Sequence, residues 1–182
     1  MSERARARMG RLVLMGWAVL AFSLVVAPPQ PSAATEPLPL PTGEVVLTIE
    51  GSMARSNANG AALFDMAMLK AMPHTEFTTG TVWTEGVSTY TGVLLRDLLE
   101  SLGAEGSRIV ASAIDGYQAV IPTDELHADG PIVAFLRDGV PMSVRNRGPL
   151  WVIYPYDDNP AFRNDTTYAR SIWQLTLIEV EG

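Results

Sequence analysis

The chain has 182 residues, which is enough for one domain with a processed segment, and its 47% hydrophobic content is sufficient for a core. With 20 acidic and 13 basic side chains it carries a net charge of −7, which argues against general binding to DNA or RNA. It contains no cysteine, so disulfides, zinc–thiolate sites, iron–sulfur clusters and a cysteine nucleophile are excluded.

The N-terminus has the three parts of an export signal. Four arginines within residues 1–11 precede an uncharged apolar run at 12–27, and Ser32-Ala33-Ala34 follows. This order predicts a cleaved secretory signal peptide over residues 1–34. The alternative is an N-terminal membrane anchor, for which the run is slightly short. No Arg-Arg pair precedes the run and no cysteine follows it, so the pattern favours Sec-type export to the periplasm.

The remaining residues predict one strand-rich domain at 44–182, after an extended, proline-rich arm at 35–43. Alternating or β-branched segments predict strands at 44–50, 75–83, 108–113, 117–121, 132–136, 140–144, 150–156 and 171–180, with hairpin turns at Asp115-Gly116 and Asp138-Gly139. Helical spacing predicts helices at 60–72, capped by Asn57 or Asn59, and at 91–102, ended by Gly103, with a single turn at 122–126. We therefore predict an α+β fold with a mixed, β-rich core.

The motifs give little support for nucleophilic or metal chemistry. No G-x-S-x-G segment is present, and nothing places a serine and a carboxylate beside His74 or His127. The pair Asp157-Asp158 fits a hard-metal or acid–base site, but a solvated turn before Asn159-Pro160 is the favoured interpretation.

Aromatic, arginine and carboxylate side chains are concentrated in two loops that follow predicted strands. The first loop contains Trp83 and Glu85, with Tyr90 downstream, and the second runs from Arg145 to Asp158. Aromatic faces and guanidinium planes stack on flat rings, and carboxylates accept hydrogen bonds from the N–H edge of a heterocycle. The two loops therefore predict a site for a planar, polar heterocycle.

The tryptophans of the domain differ in their predicted surroundings. Alternation places Trp151 and Trp173 on one face of their strands, so burial in the core is favoured for both over a place in the site. Trp83 lies among threonine and glycine residues, which favours exposure in a pocket.

Three segments carry a resemblance to a known family. They are Tyr90–Leu99, the segment G-x-P-x-x-x-R-x-x-G-P-L-W-x-x-Y-P at 139–155, and Arg170–Leu175. Together with them, nearly all of residues 44–180 resembles the small exported members of the sulfite-oxidase-like, molybdopterin-binding domain superfamily. The resemblance implies a sulfite-oxidase-like fold with a few short helices.

One departure from that superfamily bears on chemistry. Its catalytic members bind molybdenum through a cysteine in the loop after the strand that corresponds to Phe77–Trp83, and here this loop reads Thr-Val-Trp-Thr-Glu-Gly. A soft thiolate anchors molybdenum and tunes its electronics. The missing thiolate argues against enzymatic activity, whereas the resemblance still implies a pterin pocket. Cysteine-free members look like periplasmic proteins that bind a reduced, molybdenum-free pterin and regulate a membrane signalling enzyme, such as one for cyclic-di-GMP.

The resemblance also implies a set of pterin-binding residues. They are Trp83, Glu85, Tyr90, Arg145, Arg147, Trp151, Tyr156, Asp157, Asp158 and Arg170. Trp83 or Tyr156 would stack on the pterin ring. Asp157 or Asp158 would bind its amidine edge. Arg145 or Arg170 would hold its polar tail.

Three functions follow as hypotheses. The first is a non-catalytic pterin sensor of the periplasm with a membrane signalling partner. The second is a molybdopterin-dependent oxidoreductase with an oxygen ligand in place of the cysteine. The third is an interaction domain with a vestigial pocket. The missing thiolate and the retained aromatic and arginine residues favour the first, with a molybdenum-free reduced pterin favoured over the molybdenum cofactor.

Overall fold

Two five-stranded sheets form the framework of residues 37–182, the part of the chain that this computed structural model describes. The strands are β1 Val45–Gly51, β2 Ala62–Asp65, β3 Thr75–Gly80, β4 Val87–Leu94, β5 Arg108–Ala113, β6 Gln118–Pro122, β7 Ile132–Arg137, β8 Val140–Pro141, β9 Trp151–Ile153 and β10 Leu175–Glu181. The helices are α1 Met66–Ala71, α2 Leu95–Ser101 and α3 Asp165–Arg170. The predicted strand-rich α+β class is confirmed, and the predicted signal peptide lies outside the described residues.

The first sheet has the strand order β2-β1-β10-β5-β6 and joins the two ends of the domain. Its β1 and β10 are parallel, with Ile49 opposite Ile178, whereas its other neighbours are antiparallel. The alternation of β1 buries Leu47 and Ile49 completely, as expected for a strand with one face on the core. The predicted hairpin at Asp115-Gly116 is confirmed, since it connects β5 to β6 with a positive φ at Gly116.

The second sheet has the order β3-β4-β7-β8, and β9 also pairs with β7. Its central strands are buried, with Val93 of β4 and Val133 of β7 fully enclosed. The register of this pair shifts between Thr91 and Gly92, where a Cβ on Gly92 would collide with the carbonyl oxygen of Val133. Close approach of the two backbones therefore requires glycine at this position.

The helix predicted at 60–72 is wrong in its first half, because residues 62–65 form β2. Phe64 alternates with Leu63 and is buried beside β1, so tertiary pairing overrides the helical spacing. The cap of α1 is Asp65, whose side chain accepts a hydrogen bond from the Met68 amide at 2.8 Å. Neither Asn57 nor Asn59 caps this helix, and the Asn57 side chain bonds to the backbone of Leu63 instead.

The helix predicted at 91–102 begins later, since residues 91–94 belong to β4 and α2 starts at Leu95. A strand that is buried on both faces carries a continuous apolar run, which periodicity cannot separate from a buried helix. The predicted end is confirmed, with Gly103 at φ +59. Within residues 37–182, no helix combines the length and the apolar character that a membrane span requires.

The C-terminal third has shorter strands than predicted. The strands expected at 140–144, 150–156 and 171–180 are reduced to β8, β9 and β10, and the released residues form loops. The sequence patterns did not indicate α3, which Asn164 caps through a hydrogen bond from the Thr167 amide at 2.9 Å. The loop before β10 and α3 border the cavity described next.

Candidate functional site

A cavity of about 370 Å³ lies between the β5–β6 hairpin, α3 and the loop that follows β3. Its volume is within the ~300–1,000 Å³ that is usual for small-molecule sites. The aromatic part of its wall consists of Trp83, Tyr168 and Trp173, and the hairpin contributes Ala113, Asp115 and Tyr117. The chain between α3 and β10 completes the wall with Ala169, Ser171 and Ile172.

Trp83 is at the centre of the aromatic wall. Its ring centroid lies 5.5 Å from that of Trp173, 5.8 Å from that of Tyr168 and 6.0 Å from that of Trp151. The contacts with Trp173 and Tyr168 are edge-to-face, which is a favourable geometry for aromatic pairs. The half-buried indole of Trp83 is thus fixed in the cavity wall, where it can contact a flat ligand.

Arg147 lies behind this wall rather than in the cavity. It adopts a left-handed backbone conformation, with φ +70, after the 3₁₀ turn Val144–Asn146. Its Nη2 atom donates a hydrogen bond to the carbonyl oxygen of Trp83 at 2.8 Å. Its guanidinium carbon lies 5.6 Å from the ring centroid of Trp151 and 5.5 Å from that of Trp173. Arg147 therefore connects the loop of Trp83 to the two other indoles by a hydrogen bond and two cation–π contacts.

The two other tryptophans within residues 37–182 have different surroundings. Trp151 is fully buried in β9, where its Nε1 donates to the carbonyl oxygen of Ser171 at 3.2 Å. The core position predicted for Trp151 is therefore correct. Trp173 precedes β10, is only half-buried and lines the cavity, so its predicted place inside a buried strand is wrong. Its strand begins two residues later because Gln174 takes a positive φ of 54.

Tyr90 and Tyr156 are buried and do not line the cavity. Tyr90 lies with its ring edge-to-face against Trp151 at 5.5 Å, and its hydroxyl has no hydrogen-bond partner within the described residues. Burial is the main cause that raises the pKa of Tyr90. The Tyr156 hydroxyl is hydrogen-bonded to the side chain of Ser171, and burial raises the pKa of Tyr156 as well. Tyr156 thus contacts the wall residue Ser171 without lining the cavity, and it cannot stack on a ligand there.

The acidic pair lies elsewhere. Asp157 forms an ion pair with Arg163 and accepts a hydrogen bond from the Gly80 amide at 2.7 Å, an interaction that lowers the pKa of Asp157. The hydrogen bond from Gly80 connects the loop that contains Asp157 to the last residue of β3. Asp158 is exposed and borders a separate cavity beside Thr75. Neither carboxylate lines the cavity of Trp83, so the structure does not support their predicted contact with a ligand amidine there.

The other charged residues predicted for the site are not brought to the cavity. Arg145 and Glu85 are exposed on their loops and do not line it. Arg170 forms an ion pair with Glu125 and donates from Nε to the carbonyl oxygen of Val120 at 3.1 Å. It borders a neighbouring cavity of about 450 Å³ instead. A tail-holding role for either arginine therefore has no support from this cavity.

The hairpin supplies two wall residues that the sequence did not indicate for the site: Asp115, which was assigned to the turn, and Tyr117, which was assigned to the following strand. Asp115 Oδ1 accepts a hydrogen bond from the Tyr117 amide at 3.0 Å, which stabilises the tip of the hairpin. The Tyr117 hydroxyl donates to the carbonyl oxygen of Ala169 at 2.9 Å and so joins the hairpin to α3. The Asp-Gly signal predicted the turn correctly, but no pattern along the chain indicated that the turn faces the tryptophans.

The donor set of the cavity suits a flat organic ring better than a metal ion. The lining residues in the described part of the chain offer aromatic faces and edges, backbone groups and one carboxylate, and they include no arginine or lysine. No group of three histidine, aspartate or glutamate side chains within residues 37–182 could hold a metal ion. The wall therefore fits the pterin part of a molybdenum cofactor, but it lacks the thiolate that would anchor the metal.

Comparison with known proteins gives a family and a fold. The family model of the oxidoreductase molybdopterin binding domain matches residues 39–157. The chain is similar to the crystal structure of the sulfane dehydrogenase SoxCD from Paracoccus pantotrophus, with a TM-score of 0.55 and 16% identity. That match covers 74% of this chain and 37% of the SoxCD chain, so the present chain spans little more than a third of that protein. No curated protein matches the chain.

Proposed function

Since the chain belongs to the oxidoreductase molybdopterin binding domain family, we propose that it binds a pterin in the cavity lined by Trp83, Tyr168 and Trp173. The bound pterin is a reduced one without molybdenum, and the protein is a periplasmic sensor rather than an enzyme. Its ligand state regulates a membrane signalling protein, such as an enzyme of cyclic-di-GMP metabolism.

The observation that carries this proposal is the aromatic wall of the cavity. Trp83 is fixed by three ring contacts and by the hydrogen bond from Arg147, so its position does not depend on a ligand. A preorganised indole loses little freedom when it contacts a flat ring, which favours affinity. The cavity also contains polar groups at the hairpin, which a 2-amino-4-oxo heterocycle needs for its edge.

The absence of a thiolate supports binding without molybdenum catalysis. Trp83 lies in the loop after β3, and in catalytic relatives the resemblance places the metal-binding cysteine in the corresponding loop. The chain has no cysteine at any position. An oxygen ligand from this loop, such as a threonine hydroxyl, is hard where the thiolate is soft, so it would hold and tune the metal differently.

Two features support a signalling role outside the cytoplasm. The pattern of residues 1–34 predicts export. Val82 and Ile114, which precede the wall residues Trp83 and Asp115, are 62% and 63% exposed. We propose these two apolar side chains, which are adjacent in sequence to wall residues of the cavity, as contacts for a partner protein.

The proposal can be tested on the full chain isolated from the periplasm of an expressing bacterium. We expect about one reduced pterin per chain in the extract, no molybdenum by elemental analysis and no dye-linked turnover. Stoichiometric molybdenum with turnover would instead support an oxidoreductase without the cysteine ligand. Failure to retain a pterin, together with no binding of tetrahydrobiopterin in anaerobic calorimetry, would leave an interaction domain.

A variant of the wall locates the site. Trp83→Ala should weaken tetrahydrobiopterin binding by about 1–3 kcal/mol, the range for loss of one aromatic stacking partner. Phe162→Ala is the matched control, because Phe162 is a half-buried aromatic residue that contacts Tyr154 and does not line the cavity. Equal affinities of the Trp83 variant, the control and the wild type would place the ligand elsewhere.

A further inference from the structure

Among the described residues that line the cavity, Asp115 is the one acidic side chain, and none is an arginine or lysine. Asp115 is at the tip of the β5–β6 hairpin, and Trp83 and Trp173 belong to the same wall. A flat ligand in the cavity would contact the indole rings of Trp83 and Trp173, and one position on the edge of the ligand would face the Asp115 carboxylate. This arrangement distinguishes between ligands by their hydrogen-bonding pattern and by their charge.

The Asp115 carboxylate has capacity left for a ligand. Its Oδ1 atom accepts the hydrogen bond from the Tyr117 amide at 3.0 Å, whereas Oδ2 has no hydrogen bond within residues 37–182. An ionised carboxylate offers about four acceptor sites on its two oxygens. The turn therefore fixes the carboxylate through one oxygen and leaves acceptor sites for a pair of N–H donors.

Within residues 37–182, the two arginines nearest the wall do not line the cavity and already have partners. Arg147 is engaged with the carbonyl oxygen of Trp83 and with two indole rings on the far side of the wall. Arg170 is paired with Glu125 and borders the neighbouring cavity. A phosphate group placed in the cavity would therefore meet Asp115 as the charged side chain among the described lining residues, in a chain whose net charge is −7.

We infer that Asp115 recognises the 2-amino and N3–H edge of the pterin, and that the cavity selects an uncharged 2-amino-4-oxo heterocycle over a phosphorylated one. This inference rests on the proposed function, since it assigns the edge contact and the ligand class of the same cavity. Both donors of that edge point in nearly the same direction, so one carboxylate can accept from both. Asp115 thus takes the role that the sequence had suggested for Asp157 or Asp158.

The test is an exchange of ligand preference in the variant Asp115→Asn. Asparagine keeps the Oδ1 acceptor for the Tyr117 amide and is favoured in such turns, so the hairpin should be retained. Its amide group offers an N–H donor where the carboxylate offered an acceptor. The probes are pterin, which has the 2-amino group, and lumazine, which has a carbonyl oxygen in its place. Calorimetry should show pterin binding weakened roughly tenfold to a hundredfold, with the preference shifted toward lumazine.

The matched control is Asp124→Asn, because Asp124 is exposed in the turn after β6 and does not line the cavity. It should leave both affinities unchanged. If the wild type binds no pterin, the proposed function fails, and the inference fails with it. If the wild type binds pterin but Asp115→Asn binds it equally well, or loses pterin and lumazine to the same extent with an unchanged melting temperature, only the inference is overturned.

A second comparison tests the charge selection. The wild type should bind dihydroneopterin more tightly than dihydroneopterin phosphate, and Asp115→Asn should reduce that difference because it removes the facing negative charge. Equal or tighter binding of the phosphate by the wild type would contradict the selection of an uncharged ligand.

Discussion

Replacement of Arg147 by methionine should destabilise the domain through the cavity wall. Methionine keeps the apolar stem of the side chain but removes the guanidinium group. The lost hydrogen bond to the Trp83 carbonyl oxygen is charge-assisted and worth about 1.5–3 kcal/mol. The two cation–π contacts add about 0.5–1 kcal/mol each at a partly exposed site. Since part of this is recovered as solvation, we expect the free energy of unfolding to fall by about 2–4 kcal/mol.

The measurement is urea unfolding followed by far-UV circular dichroism and by tryptophan fluorescence, with the slope against urea compared between variants. Arg145→Met is the matched control, because Arg145 is two residues away and exposed, and it should change the free energy of unfolding by less than about 0.5 kcal/mol. Equal effects of the two substitutions, or a loss below about 1 kcal/mol for Arg147→Met, would refute the bracing role of Arg147.

Two further predictions concern buried polar groups. Amides of Met68 and Gly43 hold the pKa of Asp65 at about 2, below its usual value of 3.8, so its stabilising effect should be present above pH ~4 and lost as the pH falls toward 2. Melting temperatures between pH 2 and 5 should therefore fall less steeply for Asp65→Asn, which lacks this titration, than for the wild type. Tyr90→Phe removes a buried hydroxyl without a partner in the described structure and should raise the free energy of unfolding by about 1 kcal/mol in urea. A decrease would show that the hydroxyl has a bound water or ligand as its partner.

Local chemistry made the turns and the general fold class predictable. Both Asp-Gly hairpins have the positive φ values that glycine permits, with φ +88 at Gly116 and φ +75 at Gly139. Gly103 ends α2 for the same reason. These signals depend on two or three adjacent residues, so tertiary packing did not change them.

The start of α2 was not predictable in the same way, because tertiary context decides it. Val93 and Leu94 continue an apolar run into the helix, and only pairing of β4 with β7 shows that they are strand residues. The residues of the cavity wall differ in the same way. The loop composition around Trp83 predicted a pocket position, whereas the Asp-Gly motif explains Asp115 as a turn residue and gives no indication of a ligand.

The polar roles that residue type suggested stay predictions. Asp157, Arg147 and Arg170 have the charges that suit a polar heterocycle, and each has a partner within the protein. Intramolecular partners lie at fixed distance and cost no association entropy, so charged side chains near a site often serve its wall. A sequence pattern cannot show which charges are already paired.

The position of the cavity suggests how ligand binding could be transmitted. Trp83 follows β3 of the second sheet, Asp115 joins strands of the first, and Tyr168 belongs to α3, so a ligand that contacts all of them connects three parts of the fold. Binding of such a ligand would raise the free energy of unfolding of the domain by about 2.7 kcal/mol at a ligand concentration one hundred times the dissociation constant. The loop and the hairpin tip that meet the ligand also carry the exposed Val82 and Ile114. A bound ligand would therefore lie beside two apolar side chains that a partner protein can contact, without a metal centre or a turnover step, as the proposed sensor requires.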